Sequence, residues 1–110
     1  MKHEMKLLES PFNRIVSGEK DVEFRLYDEK RKQIKIGDTI EFSKLPDLVS
    51  KIEVEVVELY QYKIFRELLM FLGYNKDQLE NKLNGIYKIY TKEQEQQNGV
   101  LGIKIKKLDK

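Results

Sequence analysis

The chain predicts an α+β domain, a small mixed β-barrel with helices inserted between its strands, and three observations carry that reading. Apolar residues alternate with a period of two at 22–26, 52–59 and 101–105. They recur every three or four residues at 12–16, 64–72 and 79–86. The two kinds of segment are interspersed without strict β-α-β alternation, which favours a mixed sheet over a doubly wound one. Barrel closure would also remove exposed strand edges. A ferredoxin-like sandwich is the structural alternative.

In chain order, the apolar stretch Met5 to Leu8 is a first strand. Ser10-Pro11 opens a helix, since serine caps free amides and proline is tolerated in the first turn. Phe12, Ile15 and Val16 lie on its apolar side. Ser17-Gly18 ends it, because glycine takes up the left-handed C-terminal turn without penalty. A strand follows in which Val22, Phe24 and Leu26 face one way and Glu23, Arg25 and Tyr27 the other. Asp28 to Lys35, with Lys30, Arg31, Lys32 and Lys35, reads as an exposed basic loop. Gly37-Asp38 turns into a strand with Ile40 and Phe42 inward. In the next strand the apolar parity changes between Val56 and Val57, which predicts a β-bulge or sharp bend. Ile64, Phe65, Leu68, Leu69 and Leu72 have helical spacing and stop at Gly73; Leu79, Leu83 and Ile86 mark a second helix. Thr91-Lys92-Glu93-Gln94 has the form of a capping box opening a last short helix, ended by Asn98-Gly99. Leu101, Ile103 and Ile105 alternate with Gly102, Lys104 and Lys106 as a closing strand.

Composition bounds the function. At 110 residues the chain is one domain, residues 1–110, and 40% hydrophobic content is enough for a single core. A net charge of +2 is too small for gripping long duplexes through phosphates alone, so any nucleic-acid contact is local. There is no cysteine and one histidine, His3, which excludes disulfides, thiolate zinc sites and cysteine nucleophiles. Scattered carboxylates without liganding spacing give no reason to expect a metal, and no glycine-rich phosphate loop suggests a cofactor. No apolar run reaches the roughly 18 residues of a membrane span, and no secretory signal is present, so a cytoplasmic location is expected.

The chemistry concentrates in Gly18-Glu19-Lys20-Asp21-Val22-Glu23-Phe24-Arg25, at a helix-to-strand junction. In a regular strand Lys20 would share the parity of Val22 and Phe24 and point away from Glu23 and Arg25. The Gly18 turn places Lys20 before regular pairing begins, where its long stem can swing to the polar face. The alternative is a structural ion pair with a solvated lysine, because structural networks imitate sites.

The spacing of Gly18, Lys20, Glu23 and Arg25 resembles the G-x-K-x-x-E-x-R signature of the ASCH domain family, in the PUA-like group of small β-barrels. Leu26-Tyr27-Asp28-Glu29-Lys30-Arg31, Ile36-Gly37-Asp38 and Gly99-Val100-Leu101-Gly102-Ile103 are similar to segments of small stand-alone members, so the resemblance spans most of the chain. It implies a PUA-like barrel that binds RNA or a modified or unmodified nucleoside or nucleotide. Lys20 and Arg25 would contact a phosphate or base carbonyl and Glu23 would accept from a base amino group. Tyr27, Tyr60, Tyr62 and Tyr90 are stacking candidates, and Arg31 with its basic neighbours would hold the adjacent backbone.

One bacterial ASCH branch removes the acetyl group from N4-acetylcytidine with the signature lysine, a threonine three residues later and a distant glutamate. By that resemblance Lys20 and Glu23 would be catalytic in an amidohydrolase acting on an acylated nucleoside. The chain departs from the pattern: Glu23 stands at the threonine position, and the glutamate position falls near Gly73, with Glu67 and Glu80 as unaligned substitutes. A third class is a protein-interaction module presenting Ile64, Phe65, Leu68 and Leu69, although helical apolar stripes are mostly core.

Overall fold

A computed structural model describes residues 1–108; the last two positions of the single-domain expectation lie outside the described residues. These residues form strands β1 (Lys2–Leu7), β2 (Val22–Leu26), β3 (Thr39–Lys44), β4 (Lys51–Tyr62) and β5 (Val100–Lys107), and helices α1 (Glu9–Ser17), α2 (Phe65–Phe71), α3 (Lys76–Ile86) and α4 (Lys92–Asn98). A 3₁₀ turn covers Arg31–Gln33. The strands make one five-stranded sheet in the order β1-β3-β4-β5-β2.

The sheet is mixed. β1 pairs with β3 in parallel, Met5 opposite Phe42, and β3 pairs with β4 antiparallel, Phe42 opposite Ile52. Ile105 N donates to Asp21 O and Tyr27 N to Gly99 O, so residue numbers fall along β5 as they rise along β2, and that pair is antiparallel. The α+β class with helices inserted between strands is therefore what the structure has.

The chain divides into two compact units, each assembled from separate segments. The first comprises Met1–Glu23, Ile34–Leu59 and, of the described residues, 103–108. Its interior holds Met5, Leu7, Phe12, Ile15, Ile40, Phe42, Val54 and Val56. The second comprises Phe24–Gln33 and Tyr60–Gly102, and its interior holds Phe65, Leu68, Leu69, Leu79, Leu83, Ile86 and Val100.

In the first unit, β1 begins at Lys2 rather than Met5, because His3, Met5 and Leu7 alternate inward as one buried row. Leu8, not Ser10, occupies the cap position of α1, with no side-chain cap bond; Ser10 and Pro11 fall inside the first turn, where the missing proline N–H leaves no gap. Phe12 and Ile15 are buried, but Val16 turns to solvent. Gly18 ends the helix at φ 84° and donates its N–H to Ile15 O. β4 runs unbroken through Val56 and Val57; Val56 is buried and Val57 half-buried, so beyond this point both faces are partly covered.

The outward face of β1, β3 and β4 carries Glu4, Glu41 and Glu53 in one cross-strand row. Like charges placed opposite one another repel. Lys2 Nζ answers two of them, 3.2 Å from Glu41 and 3.5 Å from Glu53, and Lys51 lies 3.6 Å from Glu41. These contacts hold the Glu41 carboxyl below its usual range and raise the Lys2 ammonium.

In the second unit, α2 begins one residue later than the apolar spacing suggests: Ile64 is its partly exposed cap, and Phe65, Leu68 and Leu69 are fully buried. That placement makes most of the supposed interaction stripe core. The α3 helix has a capping box the apolar pattern does not reveal, with Asn75 accepting from Gln78 N and Gln78 accepting from Asn75 N. Thr91 and Gln94 form the expected box at α4. Gly99, at φ 73° and ψ −174°, stops α4 in a backbone region that is essentially glycine's alone, and a Cβ there would lie 3.2 Å from Tyr62 O.

Candidate functional site

Lys20 sits two residues before β2, held by its N–H donating to Arg14 O at 3.0 Å. From there Lys20 Nζ reaches Glu23 Oε1 at 2.9 Å. The lysine side chain is 9% exposed and the glutamate 5%, so the pair is nearly out of water. The alternative structural reading is altered in one half: an ion pair is present, joining Lys20 to Glu23, but the lysine is not solvated. Glu23 also departs from the expected two-faced strand, being as buried as its apolar neighbour Phe24. Arg25, two positions along β2, is half-buried.

The other expected site residues are spread over separate local arrangements of the second unit. The Asp28 carboxylate orients Arg31, accepting from its backbone N and from Nη1, both at 3.0 Å. The reading of 28–35 as an exposed loop holds for Glu29, Lys30, Lys32, Gln33 and Lys35, but the segment turns through a 3₁₀ helix, the Arg31 side chain is only 17% exposed, and Ile34 is buried. Arg31 Nε has no hydrogen-bond partner among the described residues. Tyr27 lies under Lys32 Nζ, 5.7 Å from the ring centroid. Tyr60 and Tyr62 flank Phe71, whereas Tyr90 stacks on Phe65 at 5.9 Å and 17°. The tyrosines therefore do not share one platform.

Two buried polar centres were not foreseen. His3 Nε2 lies 2.8 Å from Asp38 Oδ2, and that carboxylate also accepts from Lys35 N. These bonds, the imidazole foremost, hold Asp38 well below the usual carboxylate range, at about 2. Glu95, on α4, is 5% exposed; its Oε2 accepts from Phe65 N at 2.8 Å and its two oxygens from Tyr87 Oη at 2.9 and 3.0 Å. The signal for Glu95 was its position four residues after the Thr91 cap, on the face of α4 turned inward. In a helix without apolar residues, that face shows no periodicity.

Burial, and then the Glu95 carboxylate, push the Tyr87 phenol up to about 12. The folded state holds that proton more tightly than the unfolded chain, whose phenol titrates near 10. The resulting stabilisation is complete below pH 10 and is lost as pH rises through 12. Chemical denaturation of wild type and Tyr87→Phe across that window should give a difference that shrinks as the medium becomes alkaline. A constant difference would show that the phenol proton is not what Glu95 stabilises.

Among the described residues there is no cluster of three or more potential metal ligands and no helix long and apolar enough to cross a membrane. The five-stranded mixed sheet with its inserted helices is the fold of a PUA-like domain of the ASCH kind. The ASCH domain model matches residues 5–109, and the chain belongs to that family. No curated protein matches the sequence. Among solved structures, the crystal structure of the hypothetical protein PH0355 is 34% identical with a TM-score of 0.84, covering 98% of this chain and 100% of its own. The solution structure of protein PF0455 from Pyrococcus furiosus is also 34% identical, with a TM-score of 0.76 and full coverage of both chains. A serine-to-alanine variant of ZmASCH from Zymomonas mobilis shares the fold at 14% identity, with a TM-score of 0.62 over 96% of this chain and 67% of that one.

Proposed function

We propose that this ASCH domain binds RNA, or a nucleoside or nucleotide, through Lys20, Glu23 and Arg25 of its G-x-K-x-x-E-x-R motif. The observation that carries the reading is the Lys20–Glu23 pair, 2.9 Å apart and almost wholly removed from solvent. Apolar side chains of similar volume often stabilise such a position as well as or better than an ion pair, since desolvation offsets the Coulomb gain. A pair kept there serves recognition: Glu23 accepts from the exocyclic amine of a base, and the cations of Lys20 and Arg25 answer a base carbonyl or phosphate. Family membership supports the same ligand class.

A screen of free and modified nucleosides and short single strands, read by ligand-observed NMR, tests this. Binding is expected for at least one class, weakening with salt where a phosphate takes part and reduced in Arg25→Ala. A wild-type protein that binds none of them would end the proposal. N4-acetylcytidine belongs in the screen, because its turnover to cytidine, lost in Lys20→Ala, would make the same motif hydrolytic.

A further inference from the structure

In the second unit β4 ends in Tyr60-Gln61-Tyr62, followed by Lys63, and α2 ends in Met70-Phe71. Strand alternation puts Tyr60 and Tyr62 on one face. The Phe71 ring meets both, with centroids 5.2 Å from Tyr60 and 5.6 Å from Tyr62, tilted by 55° and 38°. Tyr60 is seated low because β5 has a glycine beneath it: a Cβ on Gly102 would lie 3.1 Å from Leu68 and 3.4 Å from Tyr60. The two tyrosines are half-buried, while Phe71 is 56% exposed.

A single exposed apolar side chain needs no explanation, but a ring fixed by two others with its own surface left in water does. What surrounds it selects the occupant. The phenols of Tyr60 and Tyr62 border the strand side, and the exposed Lys63 follows directly where β4 ends. A π-face bordered by hydrogen-bonding groups and a cation suits a base with its phosphate better than an aliphatic protein surface. Glu67, one helical turn before Phe71, adds an acceptor for a base amine.

We infer that Phe71, seated on Tyr60 and Tyr62, is a stacking platform for an unpaired base of a single-stranded nucleic acid, with Lys63 on the neighbouring phosphate. The choice of a nucleic acid rests on the function proposed above; the platform itself rests on the ring geometry.

The test is fluorescence anisotropy with a labelled oligouridylate of about ten nucleotides and an abasic strand of equal length. Phe71→Leu, which keeps the apolar bulk and removes the π-face, is expected to bind the oligouridylate about tenfold more weakly. Wild type should bind the abasic strand about as weakly as the variant binds the base-bearing one. Lys63→Gln should lower the salt slope by about 0.7. Urea unfolding of Phe71→Leu establishes that the fold is kept. Equal affinities of wild type and Phe71→Leu, equal affinities for the two strands, or no oligonucleotide binding at all would each overturn the inference. So would concentration-dependent self-association abolished by Phe71→Leu without an effect on the strands, which would assign the surface to a second copy. Free-nucleoside binding in Lys20→Ala is measured alongside: its loss with Phe71→Leu silent sinks only the platform, and the converse pattern sinks only the motif reading.

Discussion

Lys20→Met is expected to lower the unfolding free energy by about 3 kcal/mol, because it strands a glutamate that is 5% exposed without its ammonium. The full range for breaking a buried pair is roughly 3–5 kcal/mol, and the lower end applies since the Lys20 side chain keeps 9% of its surface exposed. The double variant Lys20→Met/Glu23→Leu should recover most of that loss, as both desolvation costs disappear together. Nucleoside or oligonucleotide binding should be absent from both variants. This separates the two roles of the pair: stability returns when both charges leave, recognition does not. Equilibrium urea unfolding and the nucleoside screen on the same preparations measure the two quantities. A stable double variant that binds like wild type would make the motif dispensable for ligands.

Glu95→Ala is expected to cost about 3 kcal/mol, since it removes the acceptor for two inward-facing donors, Phe65 N–H and the Tyr87 hydroxyl. Each unsatisfied buried donor is worth roughly 1–3 kcal/mol, which outweighs the relief from no longer burying a carboxylate. Glu95→Gln should cost only about 1 kcal/mol, because the amide oxygen still accepts and the buried charge is gone. If Gln proved as damaging as Ala, negative charge rather than hydrogen bonding would be what the helices require. Phe65 begins α2 and Tyr87 follows α3, so a cooperative loss of helical signal should accompany the alanine variant.

Helix ends and strand faces were legible wherever the cause is local. Gly18 stops α1 because its own backbone takes a positive φ, and Thr91 caps α4 through a residue three positions away. Ile40, Phe42, Leu79 and Leu83 announce their burial by spacing alone. Local rules failed at the start of α1: Ser10 has the chemistry of a cap, yet the helix begins two residues earlier than that cap would set it, with Leu8 in the cap position. The Asn75–Gln78 box was readable by the same rule as Thr91–Gln94 but was overshadowed by the apolar pattern beside it.

The amino-acid order by itself determined the α+β class, the junction that carries Gly18, Lys20, Glu23 and Arg25, and the family to which these belong. Tertiary structure alone decided that Glu23 is buried, that Glu95 holds Phe65 and Tyr87, that His3 meets Asp38, and that the tyrosines part company. The division has a physical origin. Backbone conformation and capping depend on neighbours within one turn, whereas the desolvation of a charge depends on what covers it. His3 and Asp38 are separated by 35 positions, and Phe65 and Glu95 by 30.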